Sequence, residues 1–149
     1  MYKPHFPHLL SIEDIQYKNF LREFFRHSLL SDKSYFDSTA KLIDSNVLVN
    51  TYILAKSDGV FAGKDEIQFL MNEFASDLNY HLYFNNGDIF AKNQKLLKIN
   101  GDIVQILSIE RLLLNFLTRM CSIAFETSKL SNIVSNFKNN VNLLTVFVL

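Results

Sequence analysis

An α+β fold is predicted, because three stretches with helical apolar spacing are separated by short segments rich in β-branched and aromatic residues. Two Asn-Gly dipeptides add tight-turn signals between the short segments, which suits antiparallel strands better than long βαβ crossovers. Residues 1–107 read as one α+β domain, and residues 108–149 as a long linking helix followed by a strand.

The first helix is expected to begin at Ser11, with Asp14 three residues on in a capping-box-like spacing. Tyr17, Phe20, Leu21, Phe24, Phe25 and Leu29 then fall near one side of it, and residues 31–37 read as a polar loop. Residues 47–55 are dense in β-branched and aromatic side chains and suit a strand, closed by a turn at Asp58-Gly59. Gly63 opens a second helix. Asp65 and Glu66 stand in its first turn, where the backbone dipole favours acids. Its apolar face is Ile67, Leu70, Met71, Phe74 and Leu78. Short strands are expected at 81–84 and 95–99, with Asn86-Gly87 and Asn100-Gly101 as turns. Ser108 can cap the third helix, which runs to about Phe137 with Ile109, Leu112, Leu113, Phe116, Leu117, Met120 and Ala124 as its buried stripe. Residues 141–149 form an apolar run of the kind buried on both faces in a parallel sheet.

Composition narrows the function classes. Fifteen basic and fifteen acidic residues cancel, so overall charge gives no argument for nucleic acid or an anionic membrane as partner. Four Gly leave no glycine-rich phosphate loop, and a single Cys, Cys121, excludes an internal disulfide and a cysteine-based zinc site. No apolar run reaches the ~18 residues that span a bilayer, and the N-terminus lacks a secretory pattern, so a cytoplasmic location is expected.

Several residue sets compete with plain structural readings. Arg111, Asn115 and Arg119 form a polar strip at i, i+4 and i+8 on a largely apolar helix, joined by Thr118 and Ser122. Arg can fork onto a carboxylate and Asn can hold it in place, although such strips are also common on solvated helix faces. His5, His8, His27 and His81 have no metal-ligand spacing, so no metal site is expected. Cys121 beside Met120 reads as a small buried filler. The aspartates at 58, 88 and 102 each neighbour a Gly, which turn chemistry explains, so no acid–base pair is indicated and no catalytic residue is assigned. Fourteen Phe and six Tyr sit mostly at core spacing, without the interleaved Lys and Arg that a base-stacking platform uses.

Four segments, in order, carry a resemblance. They are Asp37-Ser38-Thr39; Ala55-Lys56-Ser57-Asp58-Gly59-Val60-Phe61-Ala62-Gly63; Asn86-Gly87-Asp88 with Lys92-Asn93-Gln94 and Gly101; and Glu110-Arg111-Leu112-Leu113-Leu114-Asn115-Phe116-Leu117 with Arg119 and Ile123-Ala124. Together these are similar to the quinolinate phosphoribosyltransferase family, also called carboxylating nicotinate-nucleotide pyrophosphorylases. The resemblance covers the family's N-terminal domain and the helix entering its barrel. It implies a hammerhead-like sheet-and-helix domain, then the first strand of an α/β barrel whose remainder this chain lacks. The implied chemistry is a phosphoribosyltransferase step of NAD biosynthesis, in which quinolinate and phosphoribosyl pyrophosphate give nicotinate mononucleotide, pyrophosphate and carbon dioxide.

In that family the N-terminal domain of one subunit covers the barrel mouth of its partner, and a motif arginine reaches quinolinate there. By position this arginine is Arg111, with Asn115 and Arg119 in support. The resemblance therefore implies a homodimer, or a complex with a full-length homologue. It implies no cofactor bound by this chain alone, with magnesium accompanying phosphoribosyl pyrophosphate in the intact enzymes. Three departures stand out: Ser122 and Asn93 where the family has Gly, and Phe125 where it has Thr. After Leu143-Leu144 the family's Asp-Thr-Arg-Lys-Thr is replaced by Thr145-Val146-Phe147-Val148-Leu149. A truncated relative, inactive alone, is thus expected. The alternatives are a non-catalytic dimerisation or interaction domain, and a molybdenum-transport-associated paralogue of the same fold. The last ranks lower, because that group does not keep the Glu-Arg-x-x-Leu-Asn pattern.

Overall fold

The computed structural model describes residues 11–40 and 47–136, with the backbone alone for 32–40 and 134–136. The predicted apolar run at 141–149 lies outside the described residues. The elements run α1 (Ile15–Ala40), β1 (Leu48–Leu54), β2 (Gly59–Val60), α2 (Lys64–Phe74), β3 (Asn79–Leu82), β4 (Ile89–Phe90), β5 (Lys95–Asp102) and α3 (Ile103–Asn136). The α+β class is as the sequence predicts. Strands β1, β5 and β3 make an antiparallel sheet in that order, and β2 pairs with β4 in a separate two-stranded ribbon.

The start of α1 is set by Asp14 rather than Ser11. Its Oδ1 accepts the backbone N–H groups of Gln16 and Tyr17 at 2.8 and 2.9 Å, satisfying two donors of the first turn. The expected loop at 31–37 is instead part of α1. No Gly or Pro occurs between Pro7 and Gly59, so nothing in the backbone breaks the helix. Ser31, one of the residues that suggested a loop, donates to Ser28 O within the helix itself.

Along β1 the side chains alternate, with Val49, Thr51 and Ile53 turned inward and Leu48, Asn50, Tyr52 and Leu54 exposed. Leu97 and Ile99 of β5 complete the inward face. Helix α3 packs against β1, β2 and β5, and α1 packs on α3 and α2. Phe25 is fully buried where the three helices meet, 5.5 Å from Phe116 of α3 and within 6.5 Å of Phe69 and Phe74, centroid to centroid.

Tyr17 ties α1 to α2 by donating to Glu66 Oε1 at 2.8 Å. Burial, then the Glu66 charge, pushes the Tyr17 hydroxyl far above its ordinary range. A raised folded-state pKa means stability is fully present below the unfolded value of about 10 and falls as pH rises beyond it. Urea titrations between about pH 9 and 11 should show that loss in the native chain and a shallower one in Tyr17→Phe.

Two glycine dipeptides behave differently from expectation. Asn86-Gly87 is a turn, but it joins β3 to β4, which do not pair with each other. Asn100-Gly101 lies inside β5, where Gly101 pairs with Val49 and a Cβ would strike the Leu78 side chain. Gly59 likewise opens β2 rather than closing a turn. It faces Phe90, whose ring occupies the space a Cβ would need. Gly59→Ala should therefore cost about 1–3 kcal/mol by overpacking, read as a lowered urea midpoint. Strand β3 starts two residues earlier than expected, and Tyr83 N still donates to Leu96 O at 3.1 Å beyond its end.

Candidate functional site

Two of the segments that resemble the known family, residues 55–63 and 86–94, are joined by hydrogen bonds. Ala55 N donates to Gln94 O at 2.9 Å, and Asn93 N to Ala55 O at 2.7 Å. Asp58 Oδ1 accepts Lys92 N at 2.8 Å. Phe61 N reaches Asp88 O, Gly87 N reaches Phe61 O, and Asn86 Oδ1 accepts Lys64 N at the start of α2. These bonds, mostly between backbone groups, hold the β2–β4 ribbon to the sheet, with the Asp58 and Asn86 side chains as acceptors. Asn93 has φ 69°, a left-handed conformation in which Gly is unstrained and Asn is the best-tolerated side chain, which explains why this departure is accommodated.

What remains for chemistry lies on α3. The helix is capped by Asp102, whose Oδ1 accepts Val104 N at 2.9 Å and Gln105 N at 3.2 Å. Ser108, expected as the cap, sits in the helix and donates to Gln105 O at 2.6 Å. The helix therefore starts at Ile103, and the division drawn between residues 107 and 108 falls within it. Ile109, Leu112, Leu113 and Leu117 are buried, with Phe116, Met120 and Ala124 half-buried, as the apolar spacing predicts. On the opposite side Arg111, Asn115, Thr118, Arg119 and Ser122 are all exposed.

Arg111 and Arg119 are two turns apart, about 12 Å along the axis and about 80° around it, with Asn115 midway. One planar dianion can be gripped by Arg111 and steadied by Asn115, while Arg119 addresses a neighbouring group. Among the described residues no three His, Cys, Asp or Glu side chains are placed to hold a metal ion. His27 and His81 are exposed, and His5 and His8 lie outside the described residues.

Beside the strip, between α3 and the chain from Ile53 to Gly59, is a half-open cleft of about 620 Å³. Leu114, Thr118, Ser122 and Phe125 form its α3 wall, and Cys121 lies deeper within it. Leu114 is left 38% exposed there, an apolar surface with no cover among the described residues. Cys121 is buried, as expected of a filler; burial pushes its thiol up, away from the nucleophilic thiolate. Periodicity did not reveal this cleft, because its second wall comes from a segment nearly sixty residues earlier. The local signal was Leu114 and Phe125, two apolar residues outside the buried stripe.

The sequence pattern of the quinolinate phosphoribosyl transferase N-terminal domain matches residues 34–121, more than half of the chain. The chain belongs to the quinolinate phosphoribosyltransferase family. It is 34% identical over 83 residues to a mitochondrial quinolinate phosphoribosyltransferase [decarboxylating] 2b of Nicotiana tabacum, covering 56% of this chain and 24% of that protein. To a probable carboxylating nicotinate-nucleotide pyrophosphorylase of Bacillus subtilis it is 29% identical over 107 residues, or 72% of this chain and 37% of the other. The crystal structure of a nicotinate-nucleotide pyrophosphorylase from Ehrlichia chaffeensis superposes with a TM-score of 0.57 at 28% identity, over 64% of this chain and 35% of that one. The chain thus spans about a quarter to two-fifths of the length of these relatives, and what it shares with them is the family's N-terminal domain. Within that domain the ribbon segments hold the β2–β4 pair in place, and the Arg111 strip is exposed on α3.

Proposed function

We propose that this chain serves quinolinate phosphoribosyl transfer in NAD biosynthesis as the contributing half of a composite site. In this reading the exposed strip of α3 lies against the barrel mouth of a partner, either a second copy or a full-length homologue. Arg111 forks onto a carboxylate of quinolinate, Asn115 holds the arginine's orientation, and Arg119 adds positive charge toward phosphoribosyl pyrophosphate. The supporting observation is the exposure of Arg111, Asn115 and Arg119 on one well-anchored helix. In this reading the domain donates a contact to the partner's site. Magnesium, which the resemblance implies with phosphoribosyl pyrophosphate, finds no cluster of His, Cys, Asp or Glu ligands among the described residues. No helix among the described residues is long and apolar enough to cross a membrane.

Docking is testable without activity. The full-length Bacillus subtilis homologue should co-sediment with this chain at micromolar concentration, and Asn115→Trp, which places a large ring on the strip, should abolish the complex. A chain that stays monomeric alone and alongside the homologue would contradict the reading. A stable complex that binds neither substrate would favour the non-catalytic interaction domain instead.

A further inference from the structure

The outer face of the three-stranded sheet collects residues that are scattered in the sequence. Register places Tyr52, Lys98 and His81 side by side across β1, β5 and β3, and Asn50, Asn100 and Asn79 in the adjacent row. All six therefore point to the side away from the inward-facing Val49, Thr51 and Ile53. Lys95 Nζ lies 4.0 Å from the centre of the Tyr52 ring, and the His81 and Tyr83 rings meet edge to face at 4.7 Å. Tyr52 and Tyr83 remain 40% and 42% exposed, so each offers ring surface to a ligand. Asn100 Nδ2 donates to Asn50 Oδ1 at 3.1 Å, which fixes these two amides in the plane of the face. In these rows the sole described carboxylate is Asp102, at the far end beside Leu48, and its Oδ1 is taken up in capping α3.

We propose that this face binds single-stranded nucleic acid. The two tyrosines and His81 supply stacking surfaces about two strand spacings, roughly 10 Å, apart across the sheet. Lys95 and Lys98 between them meet phosphates, and the asparagine row offers donors and acceptors to base edges. An acidic peptide would engage the lysines as phosphates do, and polyglutamate competition separates the two; the spacing of the rings and of the amide row matches base stacking and base edges. The linear sequence does not show this grouping, because interleaving of cations and rings arises only when the three strands pair. The surface is on the other side of the sheet from α3, so it is independent of the proposed docking strip.

The test is fluorescence anisotropy of labelled single-stranded oligonucleotides of about eight nucleotides, oligo-U and oligo-dT, added to the whole chain. Saturable binding is expected, weakened about tenfold by Tyr52→Ala or by Tyr83→Ala, and retained in Tyr52→Phe, which keeps the ring. Lys98→Gln should lower the slope of log affinity against log salt by about 0.7, and Arg111→Ala should leave binding unchanged. Tighter binding of oligo-U would mark RNA as the ligand, and equal or tighter binding of oligo-dT would extend it to DNA. Absence of saturable binding, indifference to both tyrosine-to-alanine changes, or equal competition by polyglutamate would overturn the proposal, the last by marking an acidic-protein surface.

Discussion

Phe25→Ala should destabilise the domain by about 3–5 kcal/mol, the largest stability effect expected of a single change in this chain. The ring is fully buried and is in ring contact with Phe24, Phe69, Phe74 and Phe116, so truncation leaves a void shared by all three helices. Those neighbours are anchored from different elements and can close the gap only partly. Against a typical total stability of about 5–15 kcal/mol, this loss is a large share of the whole. Thermal unfolding followed by circular dichroism measures it directly. Phe20→Ala is the control on the same helix. Phe20 is 48% exposed and its substitution should cost far less, although its ring stacks on Phe24.

The second large effect concerns Arg111. In a complex that carries out the reaction using this chain's α3, Arg111→Ala should lower kcat/KM by about a hundred- to a thousandfold. That is the size expected when one charge-assisted donor is removed from a water-poor site built for anions. Arg111→Lys should recover only part of the loss, because a point charge cannot fork onto a carboxylate. Asn115→Ala should cost less, since Asn115 is assigned to orientation, and it should raise KM more than it lowers kcat. Arg111→Ala should leave the unfolding midpoint almost unmoved, because the side chain is exposed on the outer face of α3.

The parts of this fold that were legible in the sequence are those set by local periodicity. The buried stripe of α3 and the inward face of α2 follow from 3.6-residue spacing, and β1 follows from its dense β-branched and aromatic composition. The rest turned on partners far away in the chain. Residues 31–37 looked like a loop because Ser and Asp favour turns. In a stretch without Gly or Pro the helix continues, and the Ser31 hydroxyl bonds Ser28 O inside it. Gly59 and Gly101 looked like turn residues. Both are in strands, where their lack of a Cβ makes room for Phe90 and Leu78. The two-residue β2 and β4 have no sequence signal, because their pairing is fixed by hydrogen bonds between the Asp58–Gly63 and Asp88–Lys92 stretches.

The candidate site divides in the same way. The Arg111, Asn115 and Arg119 strip was visible as a pattern, but spacing could not distinguish it from an ordinary solvated face. The role proposed for it comes from the family resemblance, and the fold adds that residues 55–63 and 86–94 hold the ribbon. Leu114 illustrates the limit. It lies within the helix motif and breaks the polar strip. Only the packed structure shows that it opens onto a cleft.

The most direct test of the donated-arginine account is complementation. A full-length homologue such as the Bacillus subtilis protein is prepared with alanine in place of its own arginine equivalent to Arg111. Release of carbon dioxide from quinolinate in the presence of phosphoribosyl pyrophosphate is then measured with and without this chain. The account predicts that the native chain restores turnover in proportion to the complex formed, and that its Arg111→Ala variant forms the complex without restoring turnover. Restoration by both forms, or by neither when the complex is demonstrably present, would contradict it.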